Sequence, residues 1–362
     1  MDNVETIRKH MSGNGWFLGA GAYVLFDGQF GSTGKGLLAS VLAEAFGSQM
    51  DIVTTNAGPN SGHTAYYKDE EVMTQQIPVA SVFMYKNSLR HTCYLNGGAV
   101  VDPDILNNEV NKYRVPVIVS PDAAMIDATA KDQKLSHIAS TGKGVGPAMA
   151  AKLMRDEKYV VKANAGLFSD GVDIGRMCLA SAIDHGNRVF VETAQGFSLG
   201  INSGFYPYTT SRECSVIQAL ADARIPAQHL QKSIVSLRTY PIRVGNTSDG
   251  HSGGWYADQK EIQWSDIGVD PELTTVTKRI RRVATFSFEQ YRQCMAVNRP
   301  DVLFLNFCNY LPFDKLTELL NRMVVEYRNV LHKHPDGIML GFGPKIADVK
   351  SAYIGSNGKV FW

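Results

Sequence analysis

A short apolar segment followed by a glycine-rich loop constrains the fold of this chain most strongly. Residues 21–26 (GAYVLF) are apolar and β-favouring, which predicts a buried strand. The loop 27–36 (DGQFGSTGKG) comes next, and residues 37–46 (LLASVLAEAF) have helical spacing. Strand, glycine loop and helix in this order open a nucleotide-binding α/β fold. The loop glycines let backbone N–H groups turn toward an anion, so we predict phosphate binding with Lys35 reaching a phosphate oxygen. A glycine-rich turn with one exposed lysine is the alternative.

Further apolar segments predict a largely parallel central sheet flanked by helices. The candidate strands are residues 51–55, 115–120, 188–192, 233–239, 302–307 and 337–340. Helical patterns lie between several of them, for example over residues 315–332, and such alternation is typical of parallel sheets. Because no repeat or clear linker divides the chain, we expect one large α/β domain over residues 21–362. Residues 1–20 lack a continuous apolar centre, so we expect a short, partly ordered N-terminal extension rather than a signal peptide.

Composition excludes several classes of protein. The 362 residues are 44% apolar, enough for a large core, and the net charge of +1 gives no field suited to a dedicated duplex-DNA binder. The five cysteines are odd in number and form no CxxC pair, which argues against a disulfide framework and a zinc site. No apolar run approaches the ~18 residues of a membrane span. We therefore expect a cytoplasmic protein without direct contact to nucleic acid or membrane.

The loop departs from a Walker A motif in a way that is informative. Five residues separate Gly28 from Gly34, and Gly36 stands where a hydroxyl that binds Mg²⁺ belongs. GQFGSTGKG closely resembles the GQWGDEGKGK loop of adenylosuccinate synthetases. Other motifs of that family have counterparts in order. They are GPNSGHT (58–64), TGKGVGP (141–147), ETAQG (192–196), YPYTTS (206–211), RVG (243–245) and TKRIRR (277–282). The resemblance covers roughly residues 20–350.

The resemblance implies a reaction and a set of site residues. A nucleoside triphosphate phosphorylates the 6-oxo group of a purine nucleotide, and the amine of L-aspartate then displaces the phosphate. Positioning and charge neutralisation are the main tasks of the protein in such a reaction. The implied catalytic residues are His63, Lys35 and Ser32, with Mg²⁺ held by Ser32 and the Gly62 carbonyl. A lone histidine is more often a surface or satisfied core residue, and only the surrounding motif assigns His63 to the phosphoryl group.

The binding residues implied by the resemblance fall into three sets. Donor nucleotide and phosphate contacts are assigned to Gly31, Ser32, Thr33, Gly34, Lys35, Gly36, Gly62, His63, Thr64, Asn309, Gly341, Gly343 and Pro344. Substrate nucleotide contacts are assigned to Ser32, Asn60, Thr141, Arg155, Gln195, Thr210 and Arg243. Aspartate contacts are assigned to Thr277, Arg279, Arg281 and Arg282, since the arginine fork suits carboxylates. Arg155 corresponds to a residue donated across a dimer interface, which implies a homodimer.

Ser32 stands where conventional adenylosuccinate synthetases have an aspartate, the proposed base for the purine N1 proton. A serine hydroxyl has too high a pKa for that role without an activating partner. It is smaller and can accept a hydrogen bond, which would make room for the 2-amino group of guanine. Serine here is the pattern of phage 2-aminoadenylosuccinate synthetases, which act on dGMP on the way to diaminopurine DNA. The resemblance thus implies dGMP as substrate, and the bacterial host cytoplasm if the chain is phage-encoded.

The phosphate donor is also expected to differ. Members of the family that use GTP read guanine with a Lys-x-Asp pair, and Phe307 and Asn309 occupy those positions here. A neutral amide can pair with the donor–acceptor edge of adenine, so we expect ATP or dATP. Three alternatives remain. They are a conventional synthetase acting on IMP, a catalytically silent nucleotide-binding homologue, and nucleic-acid binding through the basic cluster 278–282.

Overall fold

The computed structural model describes residues 3–127, 138–248, 250–274 and 278–362. The strands of these residues are β1 (Gly21–Asp27), β2 (Ile52–Thr55), β3 (His63–Tyr67), β4 (Glu70–Thr74), β5 (Thr92–Leu95), β6 (Val100–Val101), β7 (Val117–Val119), β8 (Ala124–Met125), β9 (Val172–Ile174), β10 (Arg188–Glu192), β11 (Leu230–Arg238), β12 (Ile242–Arg243), β13 (Glu261–Ile262), β14 (Arg282–Ala284), β15 (Val302–Asn306), β16 (Gly337–Gly341), β17 (Val349–Ile354) and β18 (Val360–Phe361). The helices are α1 (Asn3–Gly13), α2 (Lys35–Phe46), α3 (Val79–Lys86), α4 (Pro103–Tyr113), α5 (Val145–Leu153), α6 (Leu179–Asp184), α7 (Val216–Asp222), α8 (Trp264–Ile267), α9 (Phe288–Asn298) and α10 (Phe313–Leu331).

A single large sheet organises the described residues. Its eleven strands run in the order β18-β17-β16-β15-β11-β1-β10-β2-β5-β7-β9. The strands from β9 to β16 are parallel, and β17 and β18 add an antiparallel edge. Every strand predicted from the sequence lies in this sheet, so the predicted single domain with a mostly parallel sheet is confirmed. The strands β5 and β9 and the antiparallel edge were not predicted.

Both faces of the sheet are buried, and alternate residues of β1 show it. Tyr23 and Leu25 pack in the apolar cluster that includes α1, α2, α3 and α4. Val24 and Phe26 pack in the opposite cluster, with α6, α7, α9 and α10. A strand covered on both faces is continuously apolar, which is why short apolar runs in the sequence predicted these strands.

Residues 3–20 differ from the expected partly ordered extension. They form α1 and a following turn, and both contribute side chains to the main core. Ile7 and Met11, one helical turn apart, are buried, as are Trp16 and Phe17. The Phe17 ring stacks on Tyr23 of β1 with centroids 4.3 Å apart. The charged residues between these apolar positions lie on the other face of an amphipathic helix, so their presence does not prevent packing.

The loops that follow the central parallel strands lie at one edge of the sheet. The neighbours β2, β10, β1, β11 and β15 all point their carboxyl ends there. Ligands of open α/β sheets bind at this edge. None of the described helices is long and apolar enough to cross a bilayer.

Candidate active site

Asp27, the last residue of β1, fixes the shape of the glycine loop. Its buried carboxylate accepts hydrogen bonds from the backbone N–H of Gln29 (2.8 Å) and Gly31 (3.2 Å) through Oδ1. Its Oδ2 accepts from the Thr33 hydroxyl at 2.6 Å and from Lys35 Nζ at 3.2 Å. Both oxygens are thus engaged within the loop, which is held in shape before any ligand binds.

Lys35 begins α2 and is almost fully buried, and its ammonium group faces the loop. Its Nζ donates to Asp27 and, at 2.8 Å, to the Gln195 carbonyl. An ammonium group has three N–H bonds, so one remains for an anion. Gly34, which precedes the helix, has a φ of 96°, and a side chain there would collide with the Asn306 amide. The left-handed turn at Gly34 places Lys35 at the helix start, where the dipole also favours an anion.

His63, the first residue of β3, is held by a carboxylate. Its Nδ1 lies 2.9 Å from Oε1 of Glu192, the last residue of β10. Glu192 is fully buried and also accepts from the backbone N–H of Val79 and Ala80 at 3.2 Å each, at the start of α3. With a carboxylate as partner, Nδ1 carries a proton and Nε2 is the nitrogen available for chemistry. Glu192 was not among the predicted site residues, although it ends a strand adjacent to β1.

Three adjoining cavities lie over these groups, all lined by described residues. The first, of about 460 Å³, contains the phosphate loop, His63, Tyr66, Phe307 and Asn309 along its wall. The second, of about 510 Å³, lies between the segments that contain Thr141, Gln195, Thr210 and Arg243. A small cavity of about 110 Å³ shares Ser32, Lys35, Gly62, His63 and Arg281 with the first and Phe30, Asn60, Thr141, Gln195, Leu199 and Val244 with the second. The small cavity therefore connects the two larger ones.

Most predicted site residues are brought together around these cavities. The first is lined by Ser32, Thr33, Gly34, Lys35, Gly36, Gly62, His63, Thr64, Asn309, Gly343 and Pro344. The second is lined by Asn60, Thr141, Gln195, Thr210 and Arg243, and Gly31 lines the small one. Gly341 lies outside the three linings, and an added Cβ there would lie 2.2 Å from Asn306 Oδ1, so the glycine allows the backbone to pack closely against Asn306. Arg155 is exposed and also lies outside them, and Thr277 falls outside the described residues.

The predicted aspartate-binding arginines lie in different surroundings. Arg281 lines the first and the small cavity, and burial lowers its pKa to about 10, which leaves it charged at neutral pH. Arg279 donates through Nη2 to the carbonyls of Ala139 and Ser140. Arg282 forms a bidentate pair with Glu261, at 2.6 and 2.7 Å, and lines none of the three cavities.

Arg243 packs on aromatic rings beside the second cavity. Its guanidinium carbon lies 4.5 Å from the centre of the Phe30 ring, and its Nε and Nη2 donate to the carbonyls of Ser252 and Tyr208. Burial, with a contribution from the positive charge of Arg282, lowers the pKa of Arg243 to about 9. This contact of Phe30, which follows Gln29 in the loop, was not predicted from the sequence.

The donor set around the small cavity fits a magnesium ion that arrives with nucleotide phosphates. The described residues contain no group of three or more His, Cys, Asp or Glu side chains able to hold a metal. Mg²⁺ bound with phosphates needs only one or two protein oxygens and keeps several waters. Ser32 and Gly62 line both the first and the small cavity, and each supplies such an oxygen.

Comparison with known proteins now identifies the family. The sequence model of the adenylosuccinate synthetase family matches residues 24–166 and 161–336. The chain belongs to the adenylosuccinate synthetase family. It is 37% identical to the N6-succino-2-amino-2'-deoxyadenylate synthase of Vibrio phage phiVC8, over 90% of this chain and 97% of the relative. It is 35% identical to the enzyme of the same name from Salmonella phage PMBT28, over 91% and 96%.

A solved structure of the family has the same fold. It is the succinoaminodeoxyadenylate synthetase of cyanophage S-2L, bound to dGMP and to dATP as an energy donor. The TM-score is 0.79 at 30% identity, with 91% of this chain and 95% of that chain covered. The predicted resemblance to the family, with its phage members that synthesise succino-2-aminodeoxyadenylate, is confirmed.

Proposed function

We propose that this chain joins L-aspartate to C6 of dGMP at the expense of ATP or dATP, forming N6-succino-2-amino-2'-deoxyadenylate. One observation carries the proposal: two cavities of nucleotide size meet at a small one lined by Ser32, Lys35 and His63. A phosphoryl donor in one cavity and a purine in the other would place the reacting atoms between them. The phage relatives named above carry the same activity in their names.

The first chemical step transfers the γ-phosphoryl group to O6 of the purine. A bond forms between O6 and phosphorus, the bond to the β-phosphate oxygen breaks, and the N1 proton is lost. Lys35, the loop amides and the start of α2 would hold the phosphates and neutralise their charge. In the second step the amine of aspartate attacks C6, inorganic phosphate leaves, and the amine loses a proton.

His63 and Glu192 act as a pair in this scheme. An imidazolium whose Nδ1–H is bound by Glu192, at 2.9 Å, can donate from Nε2 to the oxygen that gains charge in each step. Ser32 and the Gly62 carbonyl would be the protein ligands of Mg²⁺, which would further neutralise the phosphate charge.

Ser32 supports guanine as the base. Its backbone has a φ of 55°, the residue is exposed, and it lines the first and small cavities. A hydroxyl leaves space beside N1 for the 2-amino group and offers it an acceptor. Ser32 does not serve as the general base for N1–H in this proposal, since the pKa of a serine hydroxyl is too high for that role. A water or the aspartate substrate would take that proton.

Phe307 and Asn309 support adenine as the base of the donor. Both line the first cavity, Phe307 as an aromatic face and Asn309 as an exposed amide. An amide can donate to and accept from the N6/N1 edge of adenine. We therefore propose ATP or dATP as the donor.

Aspartate binding is assigned to the segment that contains Arg279, Arg281 and Arg282, together with Thr277. Arg281 has the strongest support because it lines the cavity between donor and purine. Arg282 is already paired with Glu261, so its contribution would be to shape the segment and not to contact a carboxylate directly.

We further propose a homodimer in the cytoplasm of an infected bacterial host. Arg155 is exposed and follows Leu153 and Met154, which are 76% and 80% exposed. Apolar side chains this exposed beside a predicted phosphate-binding arginine are consistent with an interface in which Arg155 reaches the nucleotide of the partner. A molar mass of one chain by light scattering at micromolar concentration would contradict the dimer.

An end-point assay tests the reaction. IMP, GMP and dGMP are each combined with ATP, dATP and GTP, L-aspartate and Mg²⁺, and the succinyl product and phosphate are quantified. We expect product from dGMP with ATP or dATP. Turnover of IMP without turnover of dGMP would instead establish a conventional synthetase. Nucleotide binding with no product from any combination would establish a silent homologue.

A further inference from the structure

Arg238, the last residue of β11, is buried and forms an ion pair with a partly buried glutamate beside the candidate active site. Its side chain is fully buried, and its guanidinium pairs with Glu272 through Nη2–Oε1 (2.5 Å) and Nη1–Oε2 (3.1 Å). The same Nη1 donates to the Ser32 carbonyl at 3.1 Å. The guanidinium carbon lies 3.9 Å from the centre of the Phe307 ring. One buried cation therefore contacts the phosphate loop and the segment proposed to hold the donor base.

Glu272 extends these contacts toward the aspartate-binding segment. Its Oε1 accepts from the Tyr310 hydroxyl at 3.2 Å, and its backbone carbonyl accepts from the N–H of Arg281 at 2.8 Å. The next carbonyl, of Leu273, accepts from Arg281 Nε at 3.1 Å. Burial raises the pKa of Glu272, but the charge and hydrogen bonds of Arg238, aided by Arg281 and Tyr310, outweigh it and hold the pKa below its ordinary value. The pair stays ionic at neutral pH.

We infer that Arg238 and Glu272 are positioning residues that couple donor binding to aspartate binding. This inference rests on the proposed function. A triphosphate in the first cavity would contact the loop at Ser32 and the rings of Phe307 and Tyr310, which line that cavity and all touch the ion pair. The ion pair in turn sets the backbone at Glu272 and so the position of Arg281. Fixing one end of this chain of contacts restricts the other.

A bidentate pair suits such coupling because it forms as a unit. Two parallel N–H···O bonds fix distance and angle together, whereas one contact would allow rotation. Removing one partner leaves a buried charge unpaired, so partial arrangements are unfavourable. Coupling between two sites is reciprocal: if aspartate tightens donor binding by some factor, the donor tightens aspartate binding by the same factor.

Calorimetry with a non-hydrolysable donor measures the coupling directly. The affinity of adenylyl imidodiphosphate is determined at saturating dGMP, with and without saturating L-aspartate, and the ratio of the two affinities is the coupling factor. For the native protein we expect a ratio of about fivefold or more. In Glu272→Gln the ratio falls to within twofold of one. In Tyr310→Phe, which keeps the ion pair and the contact of Arg238 with Phe307 but loses the hydrogen bond from the Tyr310 hydroxyl to Glu272, it takes an intermediate value.

Asp51→Asn is the matched control. Asp51 pairs with Arg188 at 3.1 Å at the amino end of β10, on the opposite edge of the sheet from the cavities. Its variant loses an ion pair without touching the proposed contacts, so its coupling factor equals that of the native protein. A purely structural role of Glu272 predicts a lower melting temperature with the coupling factor unchanged, and that result in the folded variant overturns the inference.

The remaining outcomes also decide the question. If Glu272→Gln does not fold, Tyr310→Phe decides, and a native coupling factor there overturns the inference. A coupling factor of one in the native protein overturns it as well. Failure of the native protein to bind aspartate with either dGMP or IMP present removes the proposed function itself, and the inference with it. That failure is seen in the native protein before any variant is compared.

Discussion

Replacing Glu192 by glutamine tests the proposed role of His63 with the smallest change of shape. Glu192 Oε1 contacts His63 Nδ1 and the N–H of Val79, and Oε2 accepts from the N–H of Ala80. Glutamine has one acceptor oxygen and one NH₂ group in place of two oxygens. Whichever way the amide turns, an N–H donor faces a group that had an oxygen as its partner.

The two orientations have different costs. With the oxygen toward His63, the NH₂ group meets the N–H of Ala80, and a buried donor without its acceptor costs about 1–3 kcal/mol of stability. With the NH₂ group toward His63, the ring must accept at Nδ1, and the charged imidazolium loses its partner. In either orientation the neutral amide lacks the negative charge that stabilises the imidazolium. General acid–base and electrostatic help of this kind contributes about 10²–10⁴-fold. We therefore expect kcat to fall by about 10²–10⁴-fold, which is about 3–5 kcal/mol at the transition state.

Steady-state phosphate release with dGMP, ATP and aspartate measures this loss. Glu109→Gln is a matched control, because Glu109 is also a buried carboxylate that accepts three backbone N–H groups, those of Gln75, Gln76 and Ile77. It has no contact with His63, so the control changes a buried acceptor of backbone N–H groups and should keep kcat within a few fold. A folded Glu192→Gln enzyme with a kcat near that of the native protein would refute the role we give to Glu192.

Three other predictions follow from single contacts. In Gly36→Ala, the new Cβ would lie 2.5 Å from the Thr64 carbonyl oxygen where α2 packs on β3, so the melting temperature should fall by an amount corresponding to about 1–3 kcal/mol, and an unchanged transition would contradict this contact. Burial raises the pKa of Glu109 to about 7, above its ordinary 4.5. Between these two values the Glu109 carboxyl keeps its proton in the folded state and loses it in the unfolded state. Its contribution to stability is therefore present below about pH 4.5 and is lost as the pH rises through 7. The free energy of unfolding, measured by urea titration at several pH values, should fall over this range in the native protein, and this fall should be absent in Glu109→Gln. In Ser32→Asp, the larger carboxylate occupies the room proposed for the 2-amino group, so the kcat/KM for dGMP relative to IMP should fall at least about tenfold. An unchanged ratio would show that Ser32 does not select the base.

The elements that sequence predicted well are those whose residues carry the information locally. β1, β10 and β15 are covered on both faces, so each is a continuous apolar run. The N-terminal helix was not predicted because its apolar positions, Ile7 and Met11, are few and stand among charged residues. Their burial depends on a surface formed by residues much later in the chain, and a local sequence pattern cannot predict such packing.

The site shows the same division. Lys35, His63 and Gln195 lie in motifs and were predicted as site residues, and all three line the small cavity. The role of Glu192 was not predicted, because its meeting with His63 joins residues 129 positions apart. Arg238 gave no signal, since an arginine within an apolar strand is expected to be exposed or paired, and its partner Glu272 lies 34 residues away. Such partnerships exist only once the sheet is formed.

The way the phosphate loop is held explains how its residue 32 can change without loss of the fold. The loop is fixed by the Asp27 carboxylate, which binds the backbone at Gln29 and Gly31, and by Arg238, which binds the carbonyl of Ser32. None of these contacts uses the Ser32 side chain, which is exposed toward the cavities. The backbone there is left-handed, at a φ of 55°, a conformation that aspartate tolerates better than most residues. Either aspartate or serine thus satisfies the same loop, which is consistent with our proposal that the residue at position 32 selects the purine.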